Sequence, residues 1–356
     1  MIETPLAALH RAAGARMGEW FGCALPDDFG DVAAEERLAM ESVALLDKNY
    51  RAYLAFTGPD RVRYLNAILT NNVKDLEAGA GSVSLLLNPQ GRILAEIETY
   101  AFEDQLFCVS YAMIRQRLIE WLDKYIIMDD VTLMDETERF GTLALEGPKA
   151  AEVVKKLTGL ELAALGELSL TETKVDGIRC KLGKRSPGGV SGTEFLAERG
   201  DLERLWGALE AAVRPVGGGP MGYQALSARR LAQGIPWFGY DFGEQQIPHE
   251  AGLEQSHISY TKGCYTGQEI VERVRSRGQV NRVRVLLKLA GRELAAAGEP
   301  LLADGKEIGR ATRSAFSPAL GAVIGMGYVR RESSAADSIL QWSGGAATVV
   351  RPPISA

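Results

Sequence analysis

Twice in this chain, a little under ninety residues apart, an apolar strand pattern runs into Gly-Pro and at once into a helical pattern. The first instance is Tyr50–Thr57, then Gly58-Pro59-Asp60 and a helix over Arg61–Leu69. The second is Thr142–Glu146, then Gly147-Pro148 and a helix running through Leu157. Proline in the first helical turn gives up an N–H that has no partner there, and glycine supplies backbone conformations that other residues avoid. Such a unit buries its strand only in a sheet with the helix laid on one face. The repeat is read as an internal duplication or as two equivalent domain entries.

At 356 residues the chain exceeds what one core serves, so two or three domains are expected. A content of 46% hydrophobic and 24% charged residues is that of an ordinary globular protein. No run of about eighteen uncharged apolar residues occurs, which argues against a membrane span. The first twenty residues carry neither a continuous apolar core nor an acid-free, serine-rich pattern, so no targeting segment is read and a cytoplasmic location is expected. Cys23, Cys108, Cys180 and Cys264 stand far apart without C-x-x-C, which fits reduced thiols and speaks against a metal or iron–sulfur site built from one chain. A formal net charge of −6 speaks against general nucleic-acid binding.

In chain order, helical patterns at Leu6–Trp20 and Ala33–Leu46 flank a Pro-Asp-Asp-Phe-Gly turn. Strands are predicted at Ser82–Leu87, Ile93–Ala101 and Gln105–Val109, and a helix at Arg115–Lys124, giving a compact α+β unit over 57–139. The mix repeats over 160–212: strands at Thr171–Val175, near Lys181 and at Glu194–Ala197, a glycine-rich turn at 187–192, and a helix at Leu202–Val213. A Pro-Val-Gly-Gly-Gly-Pro linker precedes a helix over Tyr223–Gln233. Residues 282–356 read as a small β domain.

The stretch most suggestive of chemistry is KGCYTGQEIVERVRSRGQVN, Lys262–Asn281. Thr266 and Glu269 have capping-box spacing ahead of Ile270, Val271 and Val274, which places Cys264 just before a helix start. Helix N–H groups and the Lys262 charge would favour a thiolate there, and Gly263 and Gly267 suggest close backbone approach; against this stands the plainer reading of a small buried hydrophobe. Between Lys262 and Arg284 six cations face only Glu269 and Glu272. This is either a solvated helix face or a holder for an anionic ligand tail.

Several blocks together resemble one family: FTGPD at 56–60, YLNAILTNNV at 64–73, LLLNPQGRIL at 85–94, ALEGP at 144–148, RRLAQGIPWFGYDF at 229–242, IPHEAGL at 247–253 and KGCYTGQE at 262–269. They resemble the superfamily of the glycine-cleavage aminomethyltransferase, GcvT, and the last block is similar to its YgfZ branch of folate-binding proteins linked to iron–sulfur cluster assembly. Residues 308–329 resemble the family's C-terminal barrel.

The resemblance implies an α+β protein of three domains around a central channel: a discontinuous first domain at 1–55 and 140–275, an inserted ferredoxin-like domain at 56–139, and a β-barrel at 280–356. It implies tetrahydrofolate in the channel. Glu194 is the expected carboxylate for the pterin, with Asn72, Gln90, Arg230 and Tyr240 completing the ligand set. Where the transferases carry two adjacent acids this chain reads Ala95-Glu96, and Leu226 and Gln233 replace a usual arginine and glutamate. The chemistry is therefore expected to rest on Cys264, with Lys262 and Glu96 beside it. The implied role is assistance to iron–sulfur enzymes or assembly proteins, and thereby to tRNA modification. The alternative is a folate-dependent aminomethyltransferase or demethylase using Glu96, and a third reading is docking of a nucleic acid or partner on the Arg273–Arg284 patch. His249, His257 and Cys264 are too widely spaced to suggest a metal set.

Overall fold

The computed structural model describes residues 1–185 and 192–354. Both Gly-Pro units form as expected, and they do so by the same contacts. Gly58 and Gly147 have φ of +94° and +136°, and a Cβ on either would strike a carbonyl of a neighbouring segment, Asp130 O or Ser42 O. The residue after each proline then donates to that same carbonyl, Asp60 N at 3.3 Å and Lys149 N at 3.0 Å. Two turns with one hydrogen-bond plan open the helices Arg61–Ile68 and Ala150–Thr158.

Each unit anchors a sheet. The first strand, Arg51–Thr57, lies in a five-stranded antiparallel sheet with Gly81–Leu87, Ile93–Ala101, Leu106–Tyr111 and Thr132–Asp135. The second, Phe140–Glu146, is central in a six-stranded sheet with Leu170–Val175, Ile178–Lys184, Gly192–Glu198, Ala44–Asp47 and Gly219–Pro220. Helices Arg61–Ile68 and Arg115–Asp123 cover one face of the first sheet. Helices Ala150–Thr158 and Leu202–Val213 cover one face of the second. The remaining faces meet through Tyr53, Tyr100, Phe107, Leu170 and Leu196, and Tyr53 Oη lies 2.7 Å from Thr142 Oγ1. Strand Arg51–Thr57 belongs wholly to the five-stranded sheet, whereas a boundary at 55/56 would cut it. Six strands between Arg282 and Val350 close a barrel around Leu287, Leu301, Val323, Val329 and Ala347.

The N-terminal segment departs from expectation. Its first helix is only Ala7–Ala12, strand Arg16–Trp20 follows where the pattern suggested more helix, and strand Cys23–Asp28 runs into the turn expected at 26–30. The second helix, Val32–Glu41, stops before Ala44–Asp47, which is a strand. Leu45 packs into one core and Leu46 into another. A strand buried on both faces shows no alternation, so its sequence is indistinguishable from a helix continuing. The expected turn at 187–192 lies outside the described residues except for Gly192, which opens a strand.

Candidate active site at the sheet junction

Between Asp47 and Arg51 the chain crosses from the six-stranded sheet to the five-stranded one, carrying Lys48 and Arg51 into the interior. Lys48 is 1% exposed and its ammonium donates to Glu194. Arg51 donates to both oxygens of Glu194, at 2.8 and 3.1 Å, and lies 3.5 Å from Glu98. Glu98 also pairs with Arg185 at 2.8 Å and accepts from Tyr100 Oη at 2.9 Å. Isolated buried charges are costly, and here each has an opposite neighbour. Burial, and then the Arg51 charge, draw the Lys48 ammonium below its ordinary range. Burial pulls Glu98 upward, but Arg185, Arg51 and Lys48 outweigh it and hold the carboxyl down.

Glu96 sits two residues before Glu98 on the same strand, hence on the same face. It is handled differently. One oxygen meets His257 Nε2 at 2.9 Å and the other accepts from Tyr111 Oη at 2.6 Å, with no hydrogen bond from a lysine or arginine among the described residues. Burial raises its pKa, but the hydrogen bond and charge of His257, then Arg185 and Tyr111, bring it below the ordinary carboxylate value. His257 Nδ1 lies 2.7 Å from Ser256 Oγ, so a chain of polar groups runs from exposed Ser256 inward to Tyr111. The cavity lined by Tyr50, Arg51, Glu96, Glu98 and Tyr111 has a volume of about 10 Å³, room for at most one water.

Much larger space lies outside this junction. A cleft of about 1370 Å³ opens between the barrel and the crossing segment 238–246, with Phe238 and Tyr240 on one side and Arg282, Arg310, Arg330 and Arg331 on the other. Tyr328 lines it, is only 5% exposed, and its hydroxyl has no hydrogen-bond partner among the described residues. Tyr111 links the two spaces: its hydroxyl holds Glu96, and its ring lies 5.1 Å from that of Phe238.

The expected site residues are thus dispersed. Glu96 and Glu194 come to the junction, but Glu194 already accepts three hydrogen bonds of the roughly four its carboxylate can take. Tyr240 lines the cleft, accepts from Phe21 N at 2.9 Å and carries the Arg313 guanidinium 4.4 Å above its ring. Arg230 is fully buried, bonded to Asp241 and stacked at 4.4 Å on Trp237, and does not line the cleft. Asn72 closes its own loop, accepting from Lys74 N at 2.9 Å and donating to Asp75 at 2.6 Å. Gln90 is exposed in a turn organised by Asn88. Local Asx-turn chemistry claims these two side-chain neighbourhoods before any ligand does.

The Lys262–Asn281 stretch is also corrected. The helix is Gln268–Arg277, capped by Gly267 rather than Thr266, and Glu269 pairs with Arg273 at 2.8 Å instead of closing a capping box. Lys262 turns its ammonium to the carbonyls of Asn66, Leu69 and Asn71, sealing the end of helix Arg61–Ile68, so it does not serve the Cys264 thiol. Cys264 is exposed; the other three cysteines are buried. Of the two glycines only Gly267 is closely approached among the described residues: its φ is +81° and a Cβ would meet Asn88 O at 2.6 Å, while none of them lies within 4 Å of a Cβ on Gly263. The Asn88–Gly91 turn and the KGCYTGQE loop therefore touch. The arginine patch is largely spent on its own neighbours, with Arg275 on Glu272 and over Tyr260, Arg282 near Glu250, and Arg284 donating to the carbonyls of Ala251 and Gly234. His249 faces Tyr260 and His257 faces Glu96, and no group of three potential metal ligands occurs among the described residues.

Sequence reasoning missed Lys48, Arg51, Glu98, Arg185 and Tyr111, and weighed His257 only as a metal ligand. A signal was present. Glu96 and Glu98 stand at i and i+2 in an otherwise apolar strand, and so share a face that must find cations.

Two α+β sheets joined at a buried ionic junction and followed by a closed barrel define a protein built like the glycine-cleavage T-proteins. The GCVT N-terminal domain model matches residues 6–258 and the glycine cleavage T-protein C-terminal barrel model matches 282–354. The chain belongs to this family. It is 30% identical over 359 residues to an aminomethyltransferase of Herpetosiphon aurantiacus, covering 99% of this chain and 98% of that one. It is 29% identical over 338 residues to one of Rubrobacter xylanophilus, covering 95% and 90%. The crystal structure of glycine cleavage system aminomethyltransferase T from Bartonella henselae shares the fold, with a TM-score of 0.88 at 24% identity over 99% of this chain and 97% of that one. No described helix is long and apolar enough to cross a membrane.

Proposed function

We propose that this chain takes a reduced folate and acts on a one-carbon unit carried by it, as a transferase of the aminomethyltransferase kind. The observation that carries this reading is the cleft beside the junction. At about 1370 Å³ it exceeds the size of ordinary small-ligand sites, with aromatic rings to flank a pterin or benzoyl ring and arginines for glutamyl carboxylates. The buried, unpartnered Tyr328 hydroxyl gives it a directed polar contact. The junction itself does not fit the ligand, because a cavity of about 10 Å³ has no room for a pterin and Glu194 is engaged by Lys48 and Arg51. Full-length relatives named aminomethyltransferase support the reaction class over an iron–sulfur assembly role.

Bound tetrahydrofolate supplies nitrogen atoms that carry and release a one-carbon unit. Of the chain's own groups, Tyr240 and Phe238 orient rings, the arginines bind carboxylates, and Glu96 is the junction carboxylate left able to take a proton. Its access to the cleft is through Tyr111.

Calorimetric titration with tetrahydrofolate and its 5-formyl form tests the reading. Tyr240→Ala is expected to weaken binding about tenfold or more, while Glu194→Gln and Cys264→Ser leave it within about threefold. Absence of binding to the unaltered protein overturns the folate assignment. A second reading, thiol chemistry toward iron–sulfur proteins, draws support from Cys264 being the one exposed cysteine. It is the reading to pursue if folate fails to bind and Cys264→Ser abolishes function in cells.

A further inference from the structure

Three carboxylates enter the junction, and the structure treats one of them unlike the others. Glu98 and Glu194 are gripped by Arg51, Arg185 and Lys48. Among the described residues, Glu96 is held by an imidazole and a phenol. A carboxylate clamped by a guanidinium gives up its readiness to accept a proton, whereas one held by an imidazole and a phenol gives up less of it. The imidazole is itself fixed. His257 is 7% exposed, its carbonyl accepts from Thr70 Oγ1 at 2.6 Å, its N–H donates to Leu253 O at 2.9 Å, and both ring nitrogens are engaged.

We propose that His257 is a positioning residue for Glu96: its Nε2–H aims the carboxylate into the junction and keeps it ionised, and Ser256 holds the ring in that state from the surface. This rests on the reading above that Glu96 is the proton-accepting group. The proton assignment follows from contacts. A bare Nε2 would set a lone pair against the carboxylate at 2.9 Å, so Nε2 carries hydrogen, and Nδ1 at 2.7 Å from Ser256 Oγ exchanges a hydrogen bond with that hydroxyl. The other groups around Glu96 are Tyr111 from the adjacent strand, Arg185 just past strand Ile178–Lys184, and Tyr50, Arg51 and Glu98 around the small cavity. None of them replaces the Nε2 donor, because Tyr111 takes the opposite oxygen and the arginines are committed to Glu98 and Glu194.

Infrared titration of the carboxyl band of Glu96, assigned by its loss in Glu96→Gln, reads this directly and without turnover. In His257→Leu the band of the protonated acid is expected to appear at a proton concentration about tenfold lower than in the unaltered protein. His257→Gln, which keeps a side-chain N–H donor, recovers most of that shift. An unmoved titration in His257→Leu overturns the proposal. Should that variant fail to fold, nitrogen NMR of the unaltered protein decides it: hydrogen on Nε2 at neutral pH supports the assignment, and hydrogen on Nδ1 alone overturns it. If Glu96→Gln proves fully active in transfer, the catalytic reading of Glu96 fails while the titration still decides the role of His257.

Discussion

Arg51 reaches from the five-stranded sheet to hold both oxygens of Glu194 on the six-stranded sheet, at 2.8 and 3.1 Å. Because the pair bridges two sheets and both side chains are less than a tenth exposed, removing Arg51 takes two charge-assisted hydrogen bonds from a buried Glu194 and leaves it to Lys48 alone. Arg51→Met is expected to lower unfolding stability by about 2 to 3 kcal/mol in urea titrations. Arg51→Met combined with Glu194→Leu should lose less than the sum of the single changes. Strict additivity would show that the two residues do not act as a pair.

Glu98 ties the junction to acid stability. Its folded pKa is depressed from 4.5 to about 2, chiefly by Arg185 and Arg51 acting against burial. Between those values the unfolded chain binds a proton that the folded one refuses, so stability is present above pH 4.5 and is lost as pH falls toward 2. The contribution is at most about 3 kcal/mol. Glu98→Gln should flatten the fall of stability over that window, measured by denaturant midpoint against pH.

The two Gly-Pro units, most strands from Ser82 to Ala197 and the β character of the C-terminal segment were legible in the sequence, because glycine, proline and alternation act locally; strand Thr132–Asp135 was not, and closure of the last segment into a barrel was expected from the family resemblance alone. The N-terminal strands were not. Ala44–Asp47 is apolar on both faces, and only the packing of Leu45 and Leu46 into separate cores distinguishes it from helix. Of the residues singled out by motif position, Glu96 and Glu194 lie at the junction and Tyr240 in the cleft, while Lys48, Arg51 and His257 were not given the places they hold. Their partners lie 143 residues or more away in sequence, at Glu194 for Arg51 and Glu96 for His257, and no local rule reports such a pairing. Asn72 and Gln90 were placed by motif but belong to self-contained turns.

Two glycines flanking Cys264 look alike in sequence and differ in structure. At Gly267 the backbone is left-handed and a Cβ would meet Asn88 O at 2.6 Å and the Leu87 Cβ at 3.0 Å. Gly267→Ala is expected to cost about 2 kcal/mol or more and to loosen the KGCYTGQE loop from the Asn88–Gly91 turn. Gly263→Ala, with open space around its Cβ, should change stability by less than about 0.5 kcal/mol. Equal effects at the two positions would contradict this account, and thermal unfolding of both variants measures it.

Cys264 should be the first thiol to react, and it should do so without help from Lys262. Burial pushes the Cys23 and Cys180 thiols up to about 11 and that of Cys108 to about 12, whereas Cys264 is exposed to reagent. Iodoacetamide on the native protein is therefore expected to modify one cysteine, with the others reacting only on unfolding. The Lys262 ammonium is bonded to Asn66, Leu69 and Asn71 carbonyls rather than aimed at the thiol. Lys262→Met should accordingly change the alkylation rate of Cys264 by less than about threefold, while lowering stability through the three carbonyls it leaves without a donor. A rate that collapses without loss of stability would restore Lys262 as the activating charge.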